Sequence, residues 1–175
     1  MVERIVIGRD FVEHQVRVAI HIALQPRDRF IDFEQQGLAD AVFIRTAVNL
    51  GSTKTRTLAR TASELASLLG SIQDYSVRLW IRMSLAQYEV STGRKDVAIR
   101  ELRAVVENAA SSGYAVQELE SMLLLAQTEQ SLQERSQLLK TVYIKSSLMG
   151  LNRIARNAMD LSPDALRRAS LSANR

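Results

Sequence analysis

Four glycines, Gly70, Gly93, Gly113 and Gly150, each close a run in which apolar residues recur three or four positions apart. That spacing places side chains on one face of an α-helix. Glycine just past such a run supplies the left-handed backbone conformation that ends a helix, which other residues adopt only at a steric cost. The runs are explicit. Leu58, Ala62, Leu65, Ala66 and Leu69 precede Gly70; Val77, Trp80, Ile81, Leu85 and Tyr88 precede Gly93; Ala98, Leu102, Val105 and Ala109 precede Gly113; Leu138, Val142, Tyr143 and Ser146 precede Gly150. A further run, Val116, Leu119, Leu123 and Ala126, occupies Ala115 to Ser131 without a closing glycine. Leu38 to Leu50 reads as a helix ended by Gly51, and Leu151, Ile154, Ala155 and Ala158 mark another. Ser162-Pro163-Asp164 has the cap, first-turn proline and first-turn acid of a last short helix, Pro163 to about Leu171. Helices of roughly 16–19 residues joined by very short connections force neighbours to run antiparallel. Stacked pairs of this kind form an α-solenoid or a bundle.

Composition agrees with helix-on-helix packing. Apolar residues make up 46% of the 175 positions, enough to bury a core, while aromatics are only 5%, so that core is aliphatic. There is no cysteine, which excludes disulfides and thiolate metal sites. Met1 to Phe11 carries Glu3, Arg4, Arg9 and Asp10 and does not read as a secretory signal. No stretch approaches the ~20 apolar residues of a membrane span. These features lead us to expect a cytoplasmic chain.

The first third has a different rhythm. Val16, Val18, Ile20, Ile22 and Leu24 alternate with Arg17, Ala19, His21 and Ala23, the period of a half-buried strand. Pro26-Arg27-Asp28 is turn-like, Arg29 to Phe33 can return as a second strand, and Val2 to Ile7 can add a third. Val12, Val16, Ala19, Ile20 and Ala23 also fit one helical face, so a helix over Phe11 to Leu24 competes with the strand. The expected organisation is a strand-rich appendage over residues 1–36, a short hairpin or a strand segment, followed by a helical-repeat domain over 37–175.

Within that domain Leu85-Ala86, Glu89, Gly93, Ala98, Leu102 and Val105 resemble a tetratricopeptide repeat. That family sets a large and a small residue in a first helix, glycine at the turn, and small and large residues in a second helix that let the pair cross closely. Leu125-Ala126, Leu138 and Val142 repeat the pattern less fully. Ala86-Gln87 and Ala126-Gln127 stand 40 residues apart, longer than the family's unit of about 34. The longer spacing is similar to the divergent repeats attached to some large bacterial transcription regulators. Arg82 and Glu89 occupy the family's aromatic positions, and the proline that ends the second helix is absent. The resemblance covers about residues 74–150 and implies a surface that holds a partner protein.

Catalytic and metal-binding patterns are not evident. His14 and His21 lie seven residues apart with no Cys, Asp or Glu at ligand spacing. Gly51-Ser52-Thr53-Lys54-Thr55 lacks the second glycine and the Gly-Lys pair that a phosphate loop needs, so it reads as a turn after a helix. Trp80 falls on the apolar face of its helix, a core position. Arg167-Arg168-Ala169-Ser170 matches a basophilic kinase site, which makes Ser170 a candidate for phosphorylation.

Charge is uneven within a net of +4. Ala41 to Thr61 contains Arg45, Lys54, Arg56 and Arg60 and no acid; Leu151 to Arg175 holds five arginines against Asp160 and Asp164; Tyr114 to Arg135 carries Glu118, Glu120, Glu129 and Glu134. Arg45, Lys54, Arg56 and Arg60 are therefore the candidate contacts to an anionic partner. The sequence leads us to expect a non-enzymatic module, without cofactor, that binds a partner protein or itself. The alternative is a nucleic-acid-binding helical protein that uses this basic region and the arginine-rich C-terminus.

Overall fold

Helices follow where the apolar spacing places them, and the computed structural model describes residues 33–49, 51 and 56–162. Among these residues there are seven helices and no strand: α1 Phe33–Asn49, α2 Arg56–Leu68, α3 Tyr75–Ser91, α4 Lys95–Ser111, α5 Ala115–Thr128, α6 Leu132–Leu148 and α7 Asn152–Leu161. The alternating segment Gln15 to Leu24, the expected strand over Val2 to Ile7 and the expected last helix from Pro163 lie outside the described residues. The proposed return strand Arg29 to Phe33 is corrected at its end, because Phe33 opens α1. That helix runs through the expected boundary at 36/37, and Cα packing divides the chain into two compact units at Arg94/Lys95.

In the first unit α1 packs on α2 and α3. Ala41 and Ile44 of α1 meet Leu58, Ala62 and Leu65 of α2, Ile72 of the connection, and Val77 and Ile81 of α3. Gly37 allows a close approach there, since a Cβ at that position would stand 2.9 Å from Ile81 Cδ1 and 3.2 Å from Ile72 Cδ1. The α3 start is fixed by Asp74, whose carboxylate accepts from the amides of Ser76 (2.7 Å) and Val77 (3.1 Å). Those amides have no partner within the helix, so an acid at this position satisfies them.

In the second unit α5 contacts α4, α6 and α7. Leu119, Met122, Leu123 and Ala126 of α5 pack with Leu139 and Val142 of α6 and Ile154 and Ala158 of α7. Ser121 and Thr128 of α5 are buried as well. Their hydroxyls donate back to carbonyls of their own helix, Ser121 to Gln117 and Thr128 to Leu124 at 2.8 Å. Buried Ser84 and Ser146 do the same, to Trp80 at 2.9 Å and to Val142 at 2.6 Å. A small hydroxyl can thus sit in an aliphatic core without an unpaired donor.

Three connections share one construction. Thr92-Gly93-Arg94, Ser112-Gly113-Tyr114 and Met149-Gly150-Leu151 each place a glycine of positive φ (88°, 77° and 71°) between two helices. The residue after each glycine donates its amide to the carbonyl five positions back: Arg94 to Glu89 (2.9 Å), Tyr114 to Ala109 (2.9 Å) and Leu151 to Ser146 (2.8 Å). This closes the helix on its own last carbonyls. Gly70 does not follow the expectation, because its φ is not positive; Gly51, at 73°, takes the left-handed role after α1. The region after α2 turns instead through Ser71, whose amide donates to Leu68 at 2.9 Å.

The fourth short connection, Glu129-Gln130-Ser131, contains no glycine. The Glu129 carboxylate accepts from the amides of Gln130 (2.9 Å) and Ser131 (3.3 Å), and the Ser131 hydroxyl accepts from the Glu134 amide at 3.3 Å. The Ser131 amide, with the Gln130 amide, the Glu134 side chain and Arg103, holds the Glu129 carboxyl below the usual carboxylate range against the opposing cost of burial. The run expected to occupy Ala115 to Ser131 ends earlier: α5 stops at Thr128 and α6 starts at Leu132, with Ser131 as the cap.

Gly113→Ala should lower unfolding stability by about 1 kcal/mol from backbone strain alone, since nothing lies within 4 Å of the added Cβ. Gly70→Ala, with equally open space and no positive φ, should be neutral or stabilising by up to about 1 kcal/mol. Urea denaturation of the two variants measures the contrast.

Candidate interaction surface

Ion pairs in the second unit tie charges of α6 and α7 to neighbouring helices. Arg103 of α4 reaches Glu129 (3.3 Å) and Glu134 (3.1 Å) through one guanidinium nitrogen. Lys145 of α6 pairs with Glu118 of α5 at 2.6 Å, and Arg153 of α7 pairs with the buried Glu120 at 2.6 Å. Arg135 donates to the Leu161 carbonyl at 3.2 Å. Of the charged side chains on α6, Lys140 alone has no ion-pair or hydrogen-bond partner among the described residues.

What remains on the outside of α6 is poor in charge. Leu139, Val142 and Ser146 are buried. The exposed positions include Gln133, Gln137, Lys140, Ile144 and Leu148, whose spacing of four, three, four and four sets them along one outward line. Leu132, Ser136 and Tyr143 flank it. Leu148 is 84% exposed, Leu132 71% and Ile144 46%. Tyr143, expected on the core face, is 42% exposed. The correction has a simple cause: Val142 and Ser146 are one turn apart and take the buried side, which turns Tyr143 away from it. Val116, expected to be buried on α5, is exposed for the same kind of reason, with Leu119 and Leu123 inside.

A helix with apolar residues on two opposite faces has more apolar surface than its own fold uses. Large apolar residues with depleted charge mark the central part of protein interfaces. Ile144 and Leu148 were legible in the sequence only as extra apolar residues near a helix end. Which of the two faces of α6 goes inside depends on α5 and α7.

Of the sequence-derived cationic cluster, the structure describes Arg45, Arg56 and Arg60. Arg45 stacks over the Trp80 ring, 4.7 Å from its centre, so Trp80, expected in the core, is half-buried and serves as a platform for this guanidinium. Arg60 pairs with Glu64 at 2.8 Å, one turn along α2. Arg56 is exposed at the start of α2, and Lys54 lies outside the described residues. Ser170, His14 and His21 also lie outside them, as do residues 52–55 of the loop after Gly51. The acid-free stretch in sequence is bordered in space by acids. Asp40 of α1 is 8% exposed, accepts from Gln36 Nε2 at 2.9 Å and lies in the field of Glu64. Burial pushes the Asp40 carboxyl above its ordinary pKa, the Gln36 hydrogen bond opposes this, and Glu64 adds to it.

The residues of the tetratricopeptide resemblance fall in both units. Leu85, Ala86 and Gly93 belong to the first; Ala98, Leu102 and Val105 form the buried line of α4 in the second, where Leu125 and Ala126 of α5 and Val142 of α6 are buried too. Among the described residues no group of three or more His, Asp or Glu side chains could hold a metal ion, and no helix is long and apolar enough to cross a membrane. No protein-family model matches the chain, and neither the curated proteins nor the solved structures provide a match.

Because the folded chain holds the Asp40 proton to higher pH than the unfolded chain, it binds more protons between the two pKa values. Stability therefore falls as pH rises through that interval. Asp40→Asn keeps an acceptor for Gln36 and removes the buried charge. At pH 7 it should stabilise by about 1 kcal/mol, and the gain should vanish below about pH 4, where unfolded aspartate is also protonated. Urea midpoints at the two pH values test this.

Proposed function

We propose that this chain is a non-enzymatic protein-interaction module that presents a helical surface of tetratricopeptide-like character to a partner protein. One observation carries the reading: the outward line of α6 exposes Ile144 and Leu148 on a face with a single charge. A helix that faces only water would carry its charges there. Here they bridge inward to α4, α5 and the end of α7, which leaves an apolar strip suited to a partner's helix. The nucleic-acid alternative loses support from the pairing of Arg60 with Glu64 and the stacking of Arg45 on Trp80, since both contacts compete with phosphate.

The double variant Ile144→Gln, Leu148→Gln tests the proposal. Both positions are exposed, so unfolding stability should stay within about 0.5 kcal/mol per site. Affinity purification from the source cell should recover a defined protein with the parent chain and lose it with the double variant. Equal recovery by both chains, or a salt-sensitive gel shift of DNA or RNA lost on Arg56→Ala, would argue for the other reading.

A further inference from the structure

Resting on the docking role of α6, we infer that the occupant of this face is an acidic amphipathic helix of another protein, with apolar side chains for Ile144 and Leu148 and a carboxylate for Lys140. The charge map carries the choice. On α6, Glu134 is held by Arg103, Arg135 by the Leu161 carbonyl and Lys145 by Glu118. Lys140, one turn before Ile144 and two before Leu148, is the charge left to face outward. Its four-carbon stem can cover apolar surface of a partner while the ammonium meets an acid at the edge.

A second copy of the chain fits less well. In a twofold contact the same residues meet on both sides. Such a contact along Ile144 and Leu148 would bring in Lys140 from each copy, and the exposed line Gln133, Gln137, Lys140, Ile144, Leu148 has no acid to offset it. An anionic membrane fits less well too. Stable adsorption needs several basic residues beside a broad apolar face, whereas this line has one lysine and two glutamines. A partner helix needs only one acid, one turn from an apolar pair, and pairing at that rim contributes mainly to selectivity.

The test uses two fluorescein-labelled helical peptides of about 18 residues, long enough to hold a stable helix. They share a leucine stripe at helical spacing and differ only in flanking residues, all Glu in one and all Lys in the other. Binding to the full chain is read by fluorescence anisotropy at low salt. The Glu peptide should bind, and the Lys peptide about fivefold more weakly, the scale of one exposed ion pair made against one like-charge pair. Lys140→Glu should reverse the order, added salt should narrow the gap, and Ile144→Gln, Leu148→Gln should weaken both peptides at least tenfold.

Equal affinities, or an order that Lys140→Glu leaves unmoved, would overturn the acidic partner. If the double variant still weakened binding, the docking face itself would stand. Peptide binding indifferent to the double variant would remove both. A dimer seen by light scattering and lost in the double variant would make the occupant a second copy. Cosedimentation with phosphatidylserine vesicles, lost in the same variant, would make it a membrane. Either result overturns the inference.

Discussion

Ending a helix without leaving carbonyls unpaired is the constraint on which this structure depends. The last carbonyls of every helix lack a partner within it, and a short connection leaves few other groups to serve them. At Gly93, Gly113 and Gly150 the backbone turns left-handed, and the next amide closes onto the carbonyl five residues back. The turn then takes three residues, Thr92-Gly93-Arg94, Ser112-Gly113-Tyr114 or Met149-Gly150-Leu151. Within the second unit, at Gly113 and Gly150, the direction in which the next helix leaves is set by backbone geometry, before any side chain of that helix packs.

Where no glycine is available, charge takes over. The α5–α6 turn uses the Glu129 carboxylate for two amides and the Ser131 hydroxyl for a third, with Arg103 drawn to both Glu129 and Glu134. The same economy governs the rest of the second unit. Lys145, Arg153 and Arg135 tie α6 and α7 to their neighbours. Exposed ion pairs of this kind add little stability individually. Their larger effect here is on the surface, because charges paired with neighbouring helices lie beside the outer face of α6 and not on it. An exposed Leu148 beside an exposed Ile144 is the consequence.

Buried polar groups follow a related logic. Ser84, Ser121, Thr128 and Ser146 return their hydroxyl protons to the preceding turn of their own helix. They need nothing from a neighbour, so they pack like small apolar residues. Asp40 cannot do this. Its carboxylate has Gln36 beside it and the charge of Glu64 nearby, and burial raises its pKa. It is a place where the first unit gives up stability near neutral pH.

The helices and most of their ends were legible along the chain. Apolar spacing is a local property, and a glycine after such a run needs only its own backbone to act. Leu58, Ala62 and Leu65, and likewise Ala98, Leu102, Val105 and Ala109, are buried as that spacing requires. Gly70 shows the limit of the local rule, since an identical pattern ends there without a left-handed residue. Which face of a two-faced helix lies inside was not legible there, because it depends on neighbours distant in sequence. Val142 and Ser146 turned in and Tyr143 out once α5 and α7 were in place. The contacts of the described basic residues are likewise tertiary or helix-local. Arg45, Arg56 and Arg60 are close in sequence, but Trp80 and Glu64 claim two of them, and no count of residues along the chain contains that information.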